Sequence, residues 1–133
     1  MAETLIKQQG MDPTTRLASK TIAGTRDMAA ASGNVAYTGL GFRPTSIILF
    51  YAISSTFTFG MGSADSAKAV NTVGNDASGN MRPNGGYLVT AYTSPSVSQL
   101  ATISTFDADG FTLTWTKNGS PTGTLSLYFL CFR

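Results

Sequence analysis

Side chains able to carry acid–base or metal chemistry are few in this chain of 133 residues. Histidine, which is widely used for proton transfer near neutral pH and for binding transition metals, is absent. No G-x-S-x-G segment is present to expose a serine nucleophile. A glycoside hydrolase would need a pair of carboxylates, and most of the seven in the chain lie in predicted turns or in the N-terminal segment. The seven are Glu3, Asp12, Asp27, Asp65, Asp76, Asp107 and Asp109. The sequence predicts a protein that is not an enzyme and binds no metal or cofactor.

Four short motifs are better explained as turns, strand ends or bulges than as ligand sites. Asp107-Ala108-Asp109-Gly110 begins like a calcium loop but lacks the later oxygen ligands and the terminal glutamate. Together with Lys117-Asn118-Gly119, it is predicted to close hairpins at the two ends of a strand over Phe111–Thr116. No helix follows Gly39-Leu40-Gly41 or Gly60-Met61-Gly62, so we interpret both as strand ends or bulges rather than phosphate-binding loops.

The charge content limits the partners that the chain is expected to bind. Only 12% of the residues are charged and the net charge is +2, with no basic run that could follow a phosphate backbone. We therefore expect no nucleic-acid partner. No apolar stretch approaches the ~20 residues of a membrane span, and the first residues do not form a signal peptide, so no membrane partner is expected either. The lone Cys131 lies in an apolar segment and is predicted to act as a small buried hydrophobe in a reducing compartment.

Alternating apolar and hydroxyl side chains predict strands along most of the chain. In Phe111–Thr116, Phe111, Leu113 and Trp115 share one face and three threonines share the other, so Trp115 is expected in the core. Thr56–Met61 repeats this pattern. About nine short strands separated by turns predict an all-β, antiparallel β-sandwich with jelly-roll-like topology. Further strands are predicted at 17–23, 34–38, 47–53, 67–73, 87–92, 97–106 and 125–132.

Two of these strands, Ile47–Ile53 and Leu125–Phe132, are apolar on both faces. Such strands are buried on both sides, either centrally within a sandwich or between a sheet and another subunit. Threonine and serine also occupy positions where lysine and glutamate would normally face solvent. A surface with so little charge offers little repulsion to copies that pack side by side.

Two segments lie outside the predicted core. Residues 1–16 are polar and are expected to form an extended N-terminal arm ahead of a sandwich domain at 17–133, because they contain too little apolar surface to fold alone. A neighbouring subunit or, as the alternative, its own domain would hold this arm. Residues 74–86 are predicted to be a long flexible loop of the kind that often carries function. The arm residues expected to make contacts are Leu5, Ile6, Met11 and Arg16, and the candidate ligand or partner residues near the loop are Asn75, Arg82, Tyr87 and Tyr92.

Two longer blocks carry a family resemblance. Residues 33–44, GNVAYTGLGFRP, lead directly into Ile47-Ile48-Leu49-Phe50, and DGFTLTW at 109–115 precedes the last strand. This pattern resembles small β-sandwich virion proteins of tailed bacteriophages, which occur as capsid decoration (cement) proteins and as fibre modules. In the first block Gly41 permits a tight bend, Phe42 is expected to fill the core, and Pro44 fixes the chain before a buried strand.

The resemblance implies a non-enzymatic virion component that acts as a symmetric oligomer, for which we expect a trimer. Because the chain has one domain and no repetitive stalk, we expect a decoration protein on the capsid surface, assembled in the host cytoplasm and bound to the major capsid protein. The alternative is a tail or head fibre module that binds host surface glycans through Tyr87, Tyr92 and the 74–86 loop. A third possibility is a cellular lectin-like domain.

Overall fold

The structure is a computed structural model that describes residues 18–68, 70–76 and 78–133. The predicted arm, with Leu5, Ile6, Met11 and Arg16, lies outside the described residues. The described part of the chain holds no helix long and apolar enough to cross a membrane. Its strands are β1 (Ser19–Asp27), β2 (Gly33–Thr38), β3 (Ser46–Ile53), β4 (Thr58–Asp65), β5 (Val70–Asn75), β6 (Met81–Asn84), β7 (Val89–Ser94), β8 (Val97–Asp107), β9 (Gly110–Asn118) and β10 (Thr124–Phe132).

These strands form two antiparallel sheets, which confirms the predicted all-β sandwich. One sheet has six strands in the order β1-β10-β3-β4-β5-β6, and the other has four in the order β2-β9-β8-β7. The long-range pairs β1 with β10 and β2 with β9 are nested, which is the jelly-roll-like part of the topology. A further long-range pair joins β10 to β3, and hairpins of consecutive strands complete each sheet.

The core lies between the sheets and follows the predicted alternation on β9. Phe111, Leu113 and Trp115 are buried there, as expected. Phe111 and Phe129 pack edge to face with their ring centroids 5.0 Å apart, and Tyr37 contacts both rings. Cys131 is free and buried in the same core, and burial raises the pKa of its thiol to about 11. This confirms its predicted placement in the apolar interior.

A buried polar cluster, which the sequence did not indicate, ties the β1–β2 turn to β8. The Arg26 guanidinium lies over the Trp115 ring, 4.4 Å from its centroid, and donates to the Gln99 side-chain oxygen at 3.2 Å. Gln99 in turn donates to the carbonyls of Met28 and Ala30 at 3.0 and 2.7 Å. Because the Gln99 side chain is fully buried, these bonds satisfy a group whose burial would otherwise be costly.

The β8–β9 hairpin confirms that Asp107–Gly110 is a turn. The Asp109 carboxylate accepts hydrogen bonds from the backbone N–H groups of Gly41, at 2.6 Å, and Gly39, at 3.0 Å, which lowers its pKa. These bonds hold the 39–41 bend, where Gly41 has a φ of +79°. The expectation for Phe42 is only partly met, because Leu40 enters the core while Phe42 packs partly buried at its border.

The prediction for the strand at 56–61 is wrong about which side is buried. Phe57 lies in the preceding turn and is 83% exposed, while Phe59 and Met61 of β4 point outward. The inward positions are Thr58, Gly60, Gly62 and Ala64, so the two glycines are mid-strand residues rather than strand ends or bulges. A Cβ on Gly62 would overlap the Leu88 carbonyl oxygen and lie 2.9 Å from its carbon, so β4 has no room for an inward side chain there.

The predicted loop at 74–86 is also corrected. Gly74 and Asn75 are the last residues of β5. Residues 81–84 form β6, a strand beyond the nine predicted, which pairs with β5 at the edge of the sheet. Between them, the Asp76 carboxylate accepts from the backbone N–H groups of Ser78 and Asn80 at 2.9 and 3.0 Å and closes a tight turn. The sequence did not predict β6 because its proline and polar residues are typical of loops, although an edge strand tolerates them.

Candidate functional site

The outward-pointing side chains of the six-stranded sheet, which we call the outer face, form the most unusual surface of the molecule. Strand register places one residue from each strand in a continuous row across this face. The row consists of Ala23, Tyr128, Phe50, Met61, Val73 and Pro83. Ile48 flanks it toward one end of the strands and Phe59 toward the other. The outer face is therefore an apolar band that crosses the whole sheet.

This band is exposed in the single chain. Phe50 and Met61 each expose 48% of their surface and Tyr128 exposes 46%. Among the described residues eight large hydrophobic side chains are exposed; seven of them occupy outward positions of this sheet, and the eighth is Phe57. Concentration of exposed apolar groups on one face marks an interaction surface, whereas scattered ones would need no explanation.

The β4 strand produces this arrangement by reversing the usual alternation. A half-buried antiparallel strand places apolar residues inside and polar residues outside. β4 places Gly60 and Gly62 inside because the Tyr51 ring and the Leu88 backbone fill the space beneath them. The larger residues Phe59 and Met61 consequently face outward. The large residues of β4 thus lie on the outer face because the interior beneath this strand is already filled.

Charge is nearly absent from the outer face. Among the described strand residues, its outward positions carry two charged side chains, Asp27 and Asp65, which lie at opposite ends of the strands. Ser63 and Asn71 are the polar groups next to Ile48 in the adjoining row. Charge depletion at the centre of a surface and its confinement to the border are features of protein interfaces.

The outer face also contains two shallow depressions. The larger encloses about 450 Å³ beside Phe50 and Tyr128, where the small residues Ala23 and Ala52 leave space. The smaller, about 170 Å³, lies beside Ile48 and Met61. Side chains of a partner could fill both depressions, because each is walled mainly by apolar groups.

The opposite surface, on the four-stranded sheet, has a different chemistry. Thr112, Thr114 and Thr116 of β9 point away from the core as predicted, and the Thr114 hydroxyl donates to the Asn34 side-chain oxygen at 2.8 Å. Hydroxyl groups bind water well and present little apolar area. The two outer surfaces of the sandwich are therefore both poor in charge, but only that of the six-stranded sheet is apolar.

A small polar pocket lies away from the outer face, at the β5–β6 turn. It encloses about 260 Å³ and is lined by Asp76, Ser78, Arg82, Tyr92 and Pro95. Arg82 forms an ion pair with Asp76 across the turn. This pairing, together with the backbone donors of the turn, lowers the pKa of Asp76 to about 2.

The predicted ligand residues separate into two groups in the structure. Arg82 and Tyr92 come together in the polar pocket. Asn75 is buried, and its carboxamide accepts from the Phe59 N–H at 2.6 Å and donates to the Phe57 carbonyl at 2.9 Å, so it has a structural role. Tyr87 is half-buried and does not line this pocket.

The outer-face residues were not among the predicted site residues. The available signal was the doubly apolar character of β3 and β10, which left open whether a partner covers one side. Comparisons of the chain with protein families, with curated proteins and with solved structures find no match. The resemblance to virion proteins therefore stays a prediction.

Stability at low pH should follow the lowered pKa of Asp76. Because this pKa is about 2 in the folded chain against an ordinary 3.8, the stabilising contribution is present above about pH 4 and is lost as the pH falls through about 2. We expect the melting temperature to decline over that interval. An NMR titration of the Asp76 carboxyl carbon measures the pKa directly, and Asp76→Asn should give a shallower decline. A carboxyl that titrates near 3.8 in the folded protein would contradict this prediction.

Proposed function

We propose that this protein is a structural subunit of a phage particle, acting as a head decoration protein that binds the major capsid protein lattice. The observation that supports a structural role is the apolar, nearly uncharged outer face centred on Phe50 and Met61. Such a surface suits a protein that works in contact with other proteins. The resemblance of residues 33–50 and 109–115 to virion proteins is the reason for placing the protein in a phage particle.

The predicted N-terminal arm would give the subunit a second point of attachment. Residues 1–16 precede β1, which is an edge strand of the sheet that carries the outer face. A segment of this length can reach roughly 50 Å when extended, which exceeds the roughly 24 Å across six paired strands. It can therefore contact a neighbouring subunit on the capsid.

Deletion of residues 1–16 is expected to leave the sandwich folded and to weaken binding to expanded phage heads at least tenfold. The reason is that Leu5, Ile6, Met11 and Arg16 are the predicted intersubunit contacts, whereas the core of the described part of the chain is built from residues between Met28 and Cys131. Cosedimentation of the truncated and full chains with heads measures the difference. Undiminished binding by a folded truncated chain would exclude a role for the arm.

The copy number in purified particles tests the proposed function itself. A decoration protein should approach the stoichiometry of the major capsid protein, because it occupies equivalent positions over the whole shell. Quantitative mass spectrometry of particles from the phage that encodes the chain provides this ratio. Absence from the particles would refute the proposal, and a handful of copies would assign the chain to a tail or vertex.

A second candidate function is a fibre module that binds host surface glycans, and the polar pocket favours it. The Tyr92 ring can stack on a sugar ring, while Arg82 and Ser78 supply hydrogen-bonding groups at its border. This function predicts that the protein binds purified host polysaccharide and that Tyr92→Ala abolishes the binding. Tyr87→Ala is the matched control because Tyr87 lies outside the pocket. A failure of the wild-type protein to bind would exclude it.

A further inference from the structure

The outer face requires an occupant whose chemistry matches an apolar, nearly uncharged surface. Its seven exposed large side chains keep roughly half of their area accessible. Since a large side chain offers on the order of 150–250 Å², they present roughly 600 Å² together. Monomeric proteins rarely expose more than this in one patch.

The size of the outer face is close to what a stable protein contact needs. Small residues between the large ones, including Ala23, Ala52, Ser63 and Ser126, bring the accessible surface near the roughly 800 Å² that each partner contributes to a standard interface. Such a contact must exclude water from its centre. The centre here is the Phe50–Met61 pair on the neighbouring strands β3 and β4.

The charge pattern favours an identical partner over a highly charged one. A basic or acidic partner would leave its charges unpaired against Tyr128, Phe50 and Met61. A second copy offers the same apolar centre, and its Asp27 and Asp65 lie at the ends of its strands, where solvent reaches them. Most soluble oligomers are assembled from identical chains through such self-complementary surfaces.

We propose that neighbouring copies of this chain cover one another's outer faces, so that the row from Ala23 to Pro83 forms the contact between subunits. This inference rests on the proposed function and specifies the surface through which the subunits assemble. A row that meets the same row of another copy pairs two copies around a two-fold axis, whereas in the expected trimer the row would contact a different patch of each neighbour. The measured mass of the assembly distinguishes these two arrangements.

The proposal predicts that a charge at the centre of the outer face dissociates the assembly. Met61→Glu buries an unpaired carboxylate in the contact, and we expect the dissociation constant to rise at least about 100-fold. Phe50→Glu, on the adjacent strand, is expected to act in the same way. Because both side chains are half exposed in the single chain, each variant should keep its β-sheet circular dichroism spectrum and a cooperative melting transition.

The matched control places the same charge on the other sheet. Thr116 is exposed on β9 and faces away from the core, so Thr116→Glu should leave the assembly intact. Light scattering coupled to size-exclusion chromatography, over a dilution series, gives the mass of each variant. The proposal is supported if the wild type and Thr116→Glu are oligomeric while Met61→Glu and Phe50→Glu are folded monomers.

The failures of the two proposals are distinguishable. A wild type that is oligomeric and unaffected by either outer-face substitution overturns the inference, because the copies then meet elsewhere. So does dissociation caused only by deletion of the arm. A monomeric wild type that binds heads in high copy number also overturns it, while leaving the decoration function in place. A monomer that is absent from particles contradicts both.

Discussion

Replacing Gly62 by alanine should destabilise the sandwich by about 3 kcal/mol, at the upper end of the usual range for overpacked cores. The added Cβ would overlap the Leu88 carbonyl oxygen, which is a backbone atom and cannot turn aside as a flexible side chain does. Relief would require β4 to separate from the segment that leads into β7. Urea unfolding at one fixed protein concentration measures the loss without a contribution from changing association.

Gly24→Ala is the matched control for this prediction. Gly24 also lies within a strand of the six-stranded sheet, but a Cβ there would meet only a Tyr37 ring carbon at 3.9 Å, an ordinary contact distance. We expect its free energy of unfolding to change by no more than about 0.5 kcal/mol. Equal effects at both glycines would show that β4 can move away and that its interior is less tightly packed than described.

Replacing Arg26 by alanine is expected to cost about 3 kcal/mol of folding free energy. The substitution removes the contact with Trp115 and the hydrogen bond to Gln99, and it leaves the buried Gln99 oxygen without that donor. Arg26→Lys should recover little of the loss, since an ammonium group cannot reproduce the planar guanidinium that lies on the ring while it donates to Gln99. Urea unfolding of both variants tests this prediction.

Two comparisons assign the loss to the buried cluster. Arg43→Ala removes an exposed arginine and should change stability by no more than about 0.5 kcal/mol. In a double-mutant cycle, Arg26→Ala and Gln99→Ala should be coupled by at least about 1 kcal/mol, since the two side chains share one hydrogen bond. Additive losses would mean that Arg26 stabilises the fold through other contacts.

The sequence predicted the fold class because most strands follow simple alternation. On β9, Phe111, Leu113 and Trp115 are buried and the threonines face away, as the pattern indicates. On β4 the same reasoning identified a strand but assigned its apolar side to the core, whereas Gly60 and Gly62 lie inside. The pattern could not reveal this reversal because it depends on contacts outside β4, with the Tyr51 ring from the paired strand and the Leu88 backbone ahead of β7.

The candidate site was predictable only in part for a related reason. Apolar residues on both sides of β3 and β10 indicated a second covered surface, but register alone aligned Tyr128, Phe50 and Met61 into one row. Arg82 and Tyr92 were chosen for their chemistry, and the turn at Asp76 brings them together. Asn75 was chosen on similar grounds, but its side chain is already hydrogen-bonded to the backbone of Phe57 and Phe59, where the chain enters β4.

The structure shows where the scarcity of charged residues falls, namely on the outer surfaces of both sheets. The central row of outward positions on the six-stranded sheet is apolar, and outward positions of β9 carry threonines, so charged groups are scarce on both surfaces. A monomer gains nothing from an outer face of this kind, since exposed apolar area lowers solubility. An assembly subunit gains a contact that forms without desolvating charges.

Methionine oxidation tests the covered outer face most directly. Met61 is half exposed at the centre of the face, whereas Met28 is fully buried in the core and serves as the internal reference. Peroxide converts accessible methionines to sulfoxides, which peptide mass spectrometry quantifies at each position. If copies cover one another's outer faces, Met61 should react almost as slowly as Met28 in concentrated protein and much faster after dilution to monomer. Rapid oxidation of Met61 at every concentration at which the protein is oligomeric would contradict the account.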